Sequence, residues 1–197
     1  MIYGRGGADT IDGYLGDDEI FSGGGADIVN GGQGNDTING GGGADVINGD
    51  EGDDVINAGN GADIVNGGQG NDTINGGGGT DVISGGDGLD ELYGNAGSDT
   101  FVFESLTAYN NRDNINDFSL ADGDAIDISD LLTGYNSGVD NITDFVRISN
   151  NAGNSIVEVD MTGSRNFSGS TNEVAYIIGV TGLTDEASLE ASGALIV

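Results

Sequence analysis

The sequence predicts an all-β fold: a right-handed parallel β-roll followed by a smaller β-rich capping region with one short helix. Three observations carry that expectation. One nonapeptide, Gly-Gly-x-Gly-x-Asp-x-U-x with U a large apolar residue, is written eleven times from Gly4 to Val102 without insertion or deletion. The 197 residues include 40 glycines but no proline and no cysteine, so the chain can turn often and has no disulfide staples. Beyond Val102 the glycine period stops and alternating apolar and polar runs replace it. The expected division is residues 1–102 for the roll and 103–197 for the capping region.

Within the repeat, three positions do not vary in kind. The fourth is always glycine, from Gly7 and Gly16 to Gly88 and Gly97. The sixth is always aspartate: Asp9, Asp18, Asp27, Asp36, Asp45, Asp54, Asp63, Asp72, Asp81, Asp90 and Asp99. The eighth is always apolar, as in Ile11, Ile20, Val29, Ile38, Ile47 and so on to Leu92 and Phe101. The first six residues read as a glycine-rich turn, because glycine enters the positive-φ region at no steric cost. The last three, x-U-x, read as a short strand with one side chain pointing in and two out. Two nonapeptides make one coil, so alternate repeats build two facing parallel sheets. Roughly five coils at about 4.8 Å each predict a rod near 25 Å long.

Such a rod has a thin core, about one aliphatic side chain for every nine residues. Stacking also brings each aspartate within about 5 Å of its counterpart one coil on, where like charges repel by roughly 3 kcal/mol at an effective dielectric of 20. The formal net charge is −30, from 34 acids against four arginines, with no lysine or histidine. A polyanion of this kind excludes nucleic acid and anionic membrane surfaces as partners and calls for cations. Without His or Cys the ligands are oxygens, which favours a hard ion. Calcium takes six to eight oxygens, supplied here by the repeat aspartates and by turn carbonyls. One ion shared by repeats n and n+2 predicts roughly nine in the roll, which would bring the charge from −30 to about −12. Magnesium, smaller and stricter in geometry, is a poor substitute. A glycine-rich linker would not hold Asp and Ile in phase through eleven copies, and a phosphate cradle would need the lysine that is missing.

The nonapeptide resembles the calcium-binding repeat of the RTX (repeats-in-toxin) family. Residues 25–43 and 61–79 are identical in sequence, a 36-residue period that suggests duplication of two coils. Past the repeats, Asp113-Asn-Ile-Asn-Asp117-Phe118 and Asp124-Ala-Ile-Asp127-Ile-Ser-Asp130-Leu-Leu132 look like the segment that follows RTX repeats in type I-secreted proteins. With the Val157-Glu-Val-Asp160 strand and the tail from Leu183 to Val197, this region is similar to the C-terminal target domain of large RTX adhesins. Serralysin-type proteases carry a related segment. The resemblance implies export of the unfolded chain by type I secretion machinery: an ABC transporter, a membrane fusion protein and an outer-membrane channel. It also implies an uncleaved signal near the C-terminus, and folding on calcium outside the bacterial cell or at its surface.

In the second region the expected strands are 144–149, 155–161 and 174–180, with a helix from Leu183 capped by Thr184 and a final strand at 194–197. Asp113, Asp117, Asp122, Asp124, Asp127 and Asp130 are either turn residues or further calcium ligands, with Asp117 and Asp124 the two singled out as metal residues. No run of apolar residues approaches the ~20 of a membrane span. No secretory leader opens the chain; Ile2 stands nine residues before Ile11, which reads as a C-terminal piece of a longer protein with Met1 added for expression.

Three function classes follow. The first is a calcium-dependent folding and secretion module at the end of a large extracellular adhesin, monomeric and without direct membrane insertion. The second is the RTX portion of a secreted protease, lipase or cyclase whose catalytic domain lies elsewhere. This piece is expected not to be an enzyme, since it lacks the His and Cys of triads and zinc sites and has no Gly-x-Ser-x-Gly. The third is a flat face for ice or polysaccharide, suggested by outward rows at Asn30, Asn48 and Asn66 and at Asn39, Asn57 and Asn75. The third turn position holds no regular ladder (Gly24, Gln33, Gly42, Glu51, Asn60), which speaks against that reading.

Overall fold

Stacking at a fixed eighteen-residue offset generates two parallel sheets. A computed structural model describes residues 1–104, 112–132, 146–151, 153–159, 172–179, 183 and 186–197. The first sheet begins with β1 (Ile2–Gly6), β3 (Glu19–Gly24), β5 (Thr37–Gly42), β7 (Val55–Gly61), β9 (Thr73–Gly79) and β11 (Glu91–Ala96). The second takes the alternate strands: β2 (Thr10–Asp12), β4 (Ile28–Gln33), β6 (Val46–Glu51), β8 (Ile64–Gln69), β10 (Val82–Asp87) and β12 (Thr100–Val102). Register is unbroken, with Val29 opposite Ile47 and Ile38 opposite Ile56. The eighth-position side chains stack in the core, nearly all fully buried from Ile20 to Phe101.

The strands are longer than x-U-x. Most span six residues, such as β4 and β6, so the sheet also takes in the first three positions of the following repeat. Only Gly-x-Asp is left as turn. The reason lies at the first position, which faces the interior two residues after U and is fully buried where Ser22 and Ala58 occupy it. At Gly49, a Cβ would meet both the Asp54 carboxylate and the Gly67 carbonyl, so the strand continues there only because no side chain is present. The second position then bends the strand through positive φ, as at Gly68 (φ 111°), and Asp50 (φ 75°) and Asn95 (φ 66°) take the same conformation.

The solenoid does not stop at Val102. Strand β13 (Asp113–Ile115) adds parallel to β11, and β14 (Ala125–Asp127) adds parallel to β12, giving a solenoid of about six turns rather than five. Asn172–Ile177 (β17) extends the first sheet from β13, followed in antiparallel pairing by Asn154–Val159 (β16) and Val146–Asn151 (β15). Leu195–Ile196 (β18) closes the second sheet on β14, and the helix Glu186–Ser192 (α1) precedes it. Phe118 packs on Phe101 at 6.3 Å between ring centres, carrying the core from the repeats into this cap. The described strands overlap the three expected ones with ends shifted by a few residues. Of the residues named from the sequence, Asp160 and Thr184 lie outside the described ones. Among those described, no helix is long and apolar enough to cross a membrane.

Candidate metal centre: two aspartate ladders

The three-residue turns place the repeat aspartates in two rows, one along each edge of the roll. Where the chain passes from the first sheet to the second, the row is Asp9, Asp27, Asp45, Asp63, Asp81 and Asp99. Where it passes back, the row is Asp18, Asp36, Asp54, Asp72 and Asp90. In both, the backbone amide of one aspartate donates to Oδ1 of the aspartate one coil on. Asp9 donates to Asp27 at 2.8 Å, Asp45 to Asp63 at 2.8 Å and Asp54 to Asp72 at 2.8 Å. From Asp27 to Asp99 the rungs of both rows are sealed from solvent, at most 1 % exposed, while Asp9 and Asp18 at the first coil are half-buried.

The other carboxylate oxygen is left without a partner. Oδ2 of Asp9, Asp27, Asp36, Asp45, Asp54, Asp63, Asp72, Asp81, Asp90 and Asp99 is buried and accepts no hydrogen bond. A buried, unpaired anionic oxygen is costly, and a whole series of them cannot stand as charged acceptors without a counter-charge. The same strain shows in the acidities of eight of these, Asp36, Asp45, Asp54, Asp63, Asp72, Asp81, Asp90 and Asp99. Burial pushes Asp54 and Asp81 up to about 6 and Asp72 to about 7, and the neighbouring rungs push in the same direction while the amide donors oppose it. Asp36, Asp45, Asp63, Asp90 and Asp99 are raised for the same first reason.

These oxygens point into a cradle of backbone. The volume that a Cβ on Gly4 or Gly40 would fill lies 2.8 Å from Asp9 Oδ2 and 2.9 Å from Asp45 Oδ2, and it also borders the first-position carbonyl of the next coil. Among the described residues no three His, Cys, Asp or Glu side chains form a metal cluster; the oxygens that border the cradle with Oδ2 are backbone carbonyls. An orphaned carboxylate oxygen beside carbonyls, with only oxygen donors near, fits a hard dication of calcium's coordination habit.

At the C-terminal end the ladders continue onto residues outside the nonapeptides. Asp90 donates to Asp113 and Asp99 to Asp124, each at 3.1 Å. Asp124 is satisfied on both oxygens, because Oδ2 accepts from the Ser119 amide at 2.7 Å. Asp113 is pushed by burial, and then by Asp90, to about 8. Asp117 stands off the ladder: its two oxygens accept from the amides of Gly94 and Asn95 at 3.0 and 2.8 Å, at the bend in β11. Asp127 likewise accepts from the Ser129 amide in its own turn. From sequence, Asp113, Asp117, Asp122, Asp124, Asp127 and Asp130 are either turn residues or further ligands, with Asp117 and Asp124 singled out. Asp113 and Asp124 stand as the next rungs, and Asp117 accepts amides beside them. The signal for Asp113 was present as Asp-x-U, in Asp113-Asn-Ile115 and again in Asp124-Ala-Ile126.

Fold and site together define a calcium-binding parallel β-roll, in which carboxylates and carbonyls line the turns of a solenoid. A family model for the RTX calcium-binding nonapeptide repeat, built of four copies, matches residues 3–38, 39–74 and 75–104. The chain belongs to this family. No curated protein matches it.

Proposed function

We propose that the chain is a calcium-driven folding and type I secretion module at the C-terminus of a large extracellular RTX adhesin. The observation that carries the calcium part is the series of buried Asp Oδ2 atoms without partners. Calcium, when bound, supplies the positive charge that those oxygens lack. The chain's own residues do the rest. Oδ1 of each rung holds the adjacent coil by its amide, the first-position glycines keep the cradle open, and the eighth-position side chains align the coils. In a low-calcium cytosol, charged rungs and a thin core keep the chain open and threadable. Outside, sites in the range expected of extracellular modules fill and fold it.

On this reading residues 1–102 are the switch and residues 103–197 the cap and export signal. The metal residues are the eleven repeat aspartates, with Asp113 and Asp124 ending the rows. The secretion part rests on the resemblance of the second region to adhesin target domains. Far-UV circular dichroism during a calcium titration, with magnesium as control and chelator to reverse it, tests the switch. A cooperative gain of β signal with calcium alone is expected, and a folded spectrum that persists in excess chelator would refute it. Export of the chain truncated after Gly182 tests the signal, and undiminished secretion would overturn its placement.

A further inference from the structure

The two edges of the roll carry the same aspartate ladder but different surroundings. In the turns leading from the second sheet back to the first, the second, third and fifth repeat positions hold Asp17, Asp50, Glu51, Asp53 and Asp87. The same positions on the opposite edge hold no acid and one cation, Arg5; their fifth positions are Ala8, Ala26, Ala44, Ala62, Thr80 and Ser98. The acidic edge also has an outer ladder that its counterpart lacks. The Asn35 amide donates to Asp17 Oδ1 at 2.9 Å, Asp53 to Asn35 Oδ1 at 3.0 Å, Asn71 to Asp53 Oδ1 at 2.7 Å and Leu89 to Asn71 Oδ1 at 3.0 Å. This ladder runs opposite in sense to the inner one, since here the later residue donates to the earlier.

Asparagine and aspartate thus serve the outer ladder equally as acceptors. What aspartate adds at positions 17 and 53 is charge, held in place by the backbone amide of the next coil. Asp50 adds another from the bend just before that turn. Asp17, Asp50 and Asp53 act on Asp36, Asp54 and Asp72, whereas Asp45 and Asp81 feel only their own rungs.

We propose that the two rows hold calcium with unequal affinity, that the row Asp18, Asp36, Asp54, Asp72 and Asp90 is the tighter, and that Asp17, Asp50 and Asp53 set the difference through charge without being ligands. This rests on the calcium reading above. A carboxylate about two coil spacings from a dication changes its affinity about threefold at ~10 mM salt and about 1.5-fold at 0.15 M. The chain thereby has one row that fills early and holds the coils in register, and a second that responds to higher calcium.

The test compares the calcium-loaded protein with Asp50→Asn/Asp53→Asn, which keeps the acceptor at position 53 and suits the positive φ at position 50. A control, Asp12→Asn/Glu190→Gln, removes the same charge from β2 and α1, outside the turns that carry the rows. Calcium is withdrawn stepwise with chelator while amide signals are followed by NMR. In the wild type, the amides of Asp27, Asp45 and Asp63 are expected to change before those of Asp36, Asp54 and Asp72. In the 50/53 variant the second set should move to about eightfold higher calcium at ~10 mM salt and about twofold at 0.15 M, with the control unshifted. Both rows emptying together in the wild type, or an equal shift in the control, would overturn the proposal. Signals indifferent to calcium would instead sink the calcium reading itself.

Discussion

Acidification should do for the calcium-free roll part of what calcium does. The repeat aspartates Asp36, Asp45, Asp54, Asp63, Asp72, Asp81, Asp90 and Asp99 have folded pKa values above the ordinary 3.8, with Asp54 and Asp81 at about 6 and Asp72 at about 7. A carboxyl whose folded pKa is raised binds its proton more tightly in the folded chain. Its favourable contribution is therefore fully present below the unfolded pKa and is lost as pH rises through the folded value. For Asp72 the favourable contribution is on the order of a few kcal/mol, lost across the window from pH 3.8 to about 7. That single rung is a large share of the 5–15 kcal/mol that holds a typical domain together. In excess chelator the chain should be largely unstructured at pH 8 and gain β signal as pH falls toward 5, with a midpoint near 6. Stopping at pH 5 keeps the protein above its pI of about 4.1 and in solution. With calcium present, protons compete for the same Oδ2 atoms, so the calcium midpoint should rise as pH falls below about 7. Circular dichroism at fixed chelator across pH 8 to 5 reads the first effect, and the calcium midpoint at each pH reads the second. A calcium-free β signal that is flat or falls on acidification would refute the claim that buried charge on the ladder keeps the roll open.

Asp54→Asn keeps an acceptor for the Asp36 amide but removes the charge and the Oδ2 donor; bound calcium, counted by equilibrium dialysis, should fall by at least one ion and the folding midpoint should rise severalfold. Gly49→Ala puts a methyl between the Asp54 carboxylate and the Gly67 carbonyl and should cost about 1–3 kcal/mol in calcium-loaded urea melts. Gly42→Ala, at a third position with open space around its Cβ, should stay within about 0.5 kcal/mol. In the cap, Arg147 grips Glu158 through two hydrogen bonds of 2.7 and 2.6 Å while the Glu158 side chain is only 7 % exposed. Arg147→Met should leave that carboxylate short of its main donor and lower the cap's stability by about 1–3 kcal/mol, and the loss should shrink in Glu158→Gln.

The repeat positions were legible in the sequence because each had one dominant physical duty. Ile11 to Phe101 fill a core one residue wide, and the sixth-position aspartates face a row of identical neighbours. The same logic misread where strand ends and turn begins. Glycine at the first position looked like a turn residue, since glycine's freedom is its usual signature, yet Gly49 sits in a strand because the carboxylate and carbonyl beside it leave no room for a Cβ. Nothing in a one-dimensional pattern separates glycine chosen for φ from glycine chosen for space. The two uses lie side by side here, with Gly67 bordering the cradle and Gly68 bending at φ 111°.

The end of the roll was harder to read because its period breaks while its geometry does not. From Asp90 to Asp113 the step is 23 residues and from Asp99 to Asp124 it is 25, against 18 in every coil before. The extra residues in these two steps hide the phase, but each step still delivers Asp-x-Ile to the next rung, with Ile115 on Leu92 and Ile126 on Phe101. Past them Ala175 pairs with Asp113 and the rungs cease. On the row that ends at Asp124 the Ser119 amide takes the carboxylate's second oxygen, while beside the rows Asp117 accepts from the amides of Gly94 and Asn95 at the bend in β11. At Asp124 the second region supplies an amide for the oxygen that is orphaned on the repeat rungs, so this last rung has a donor on each oxygen.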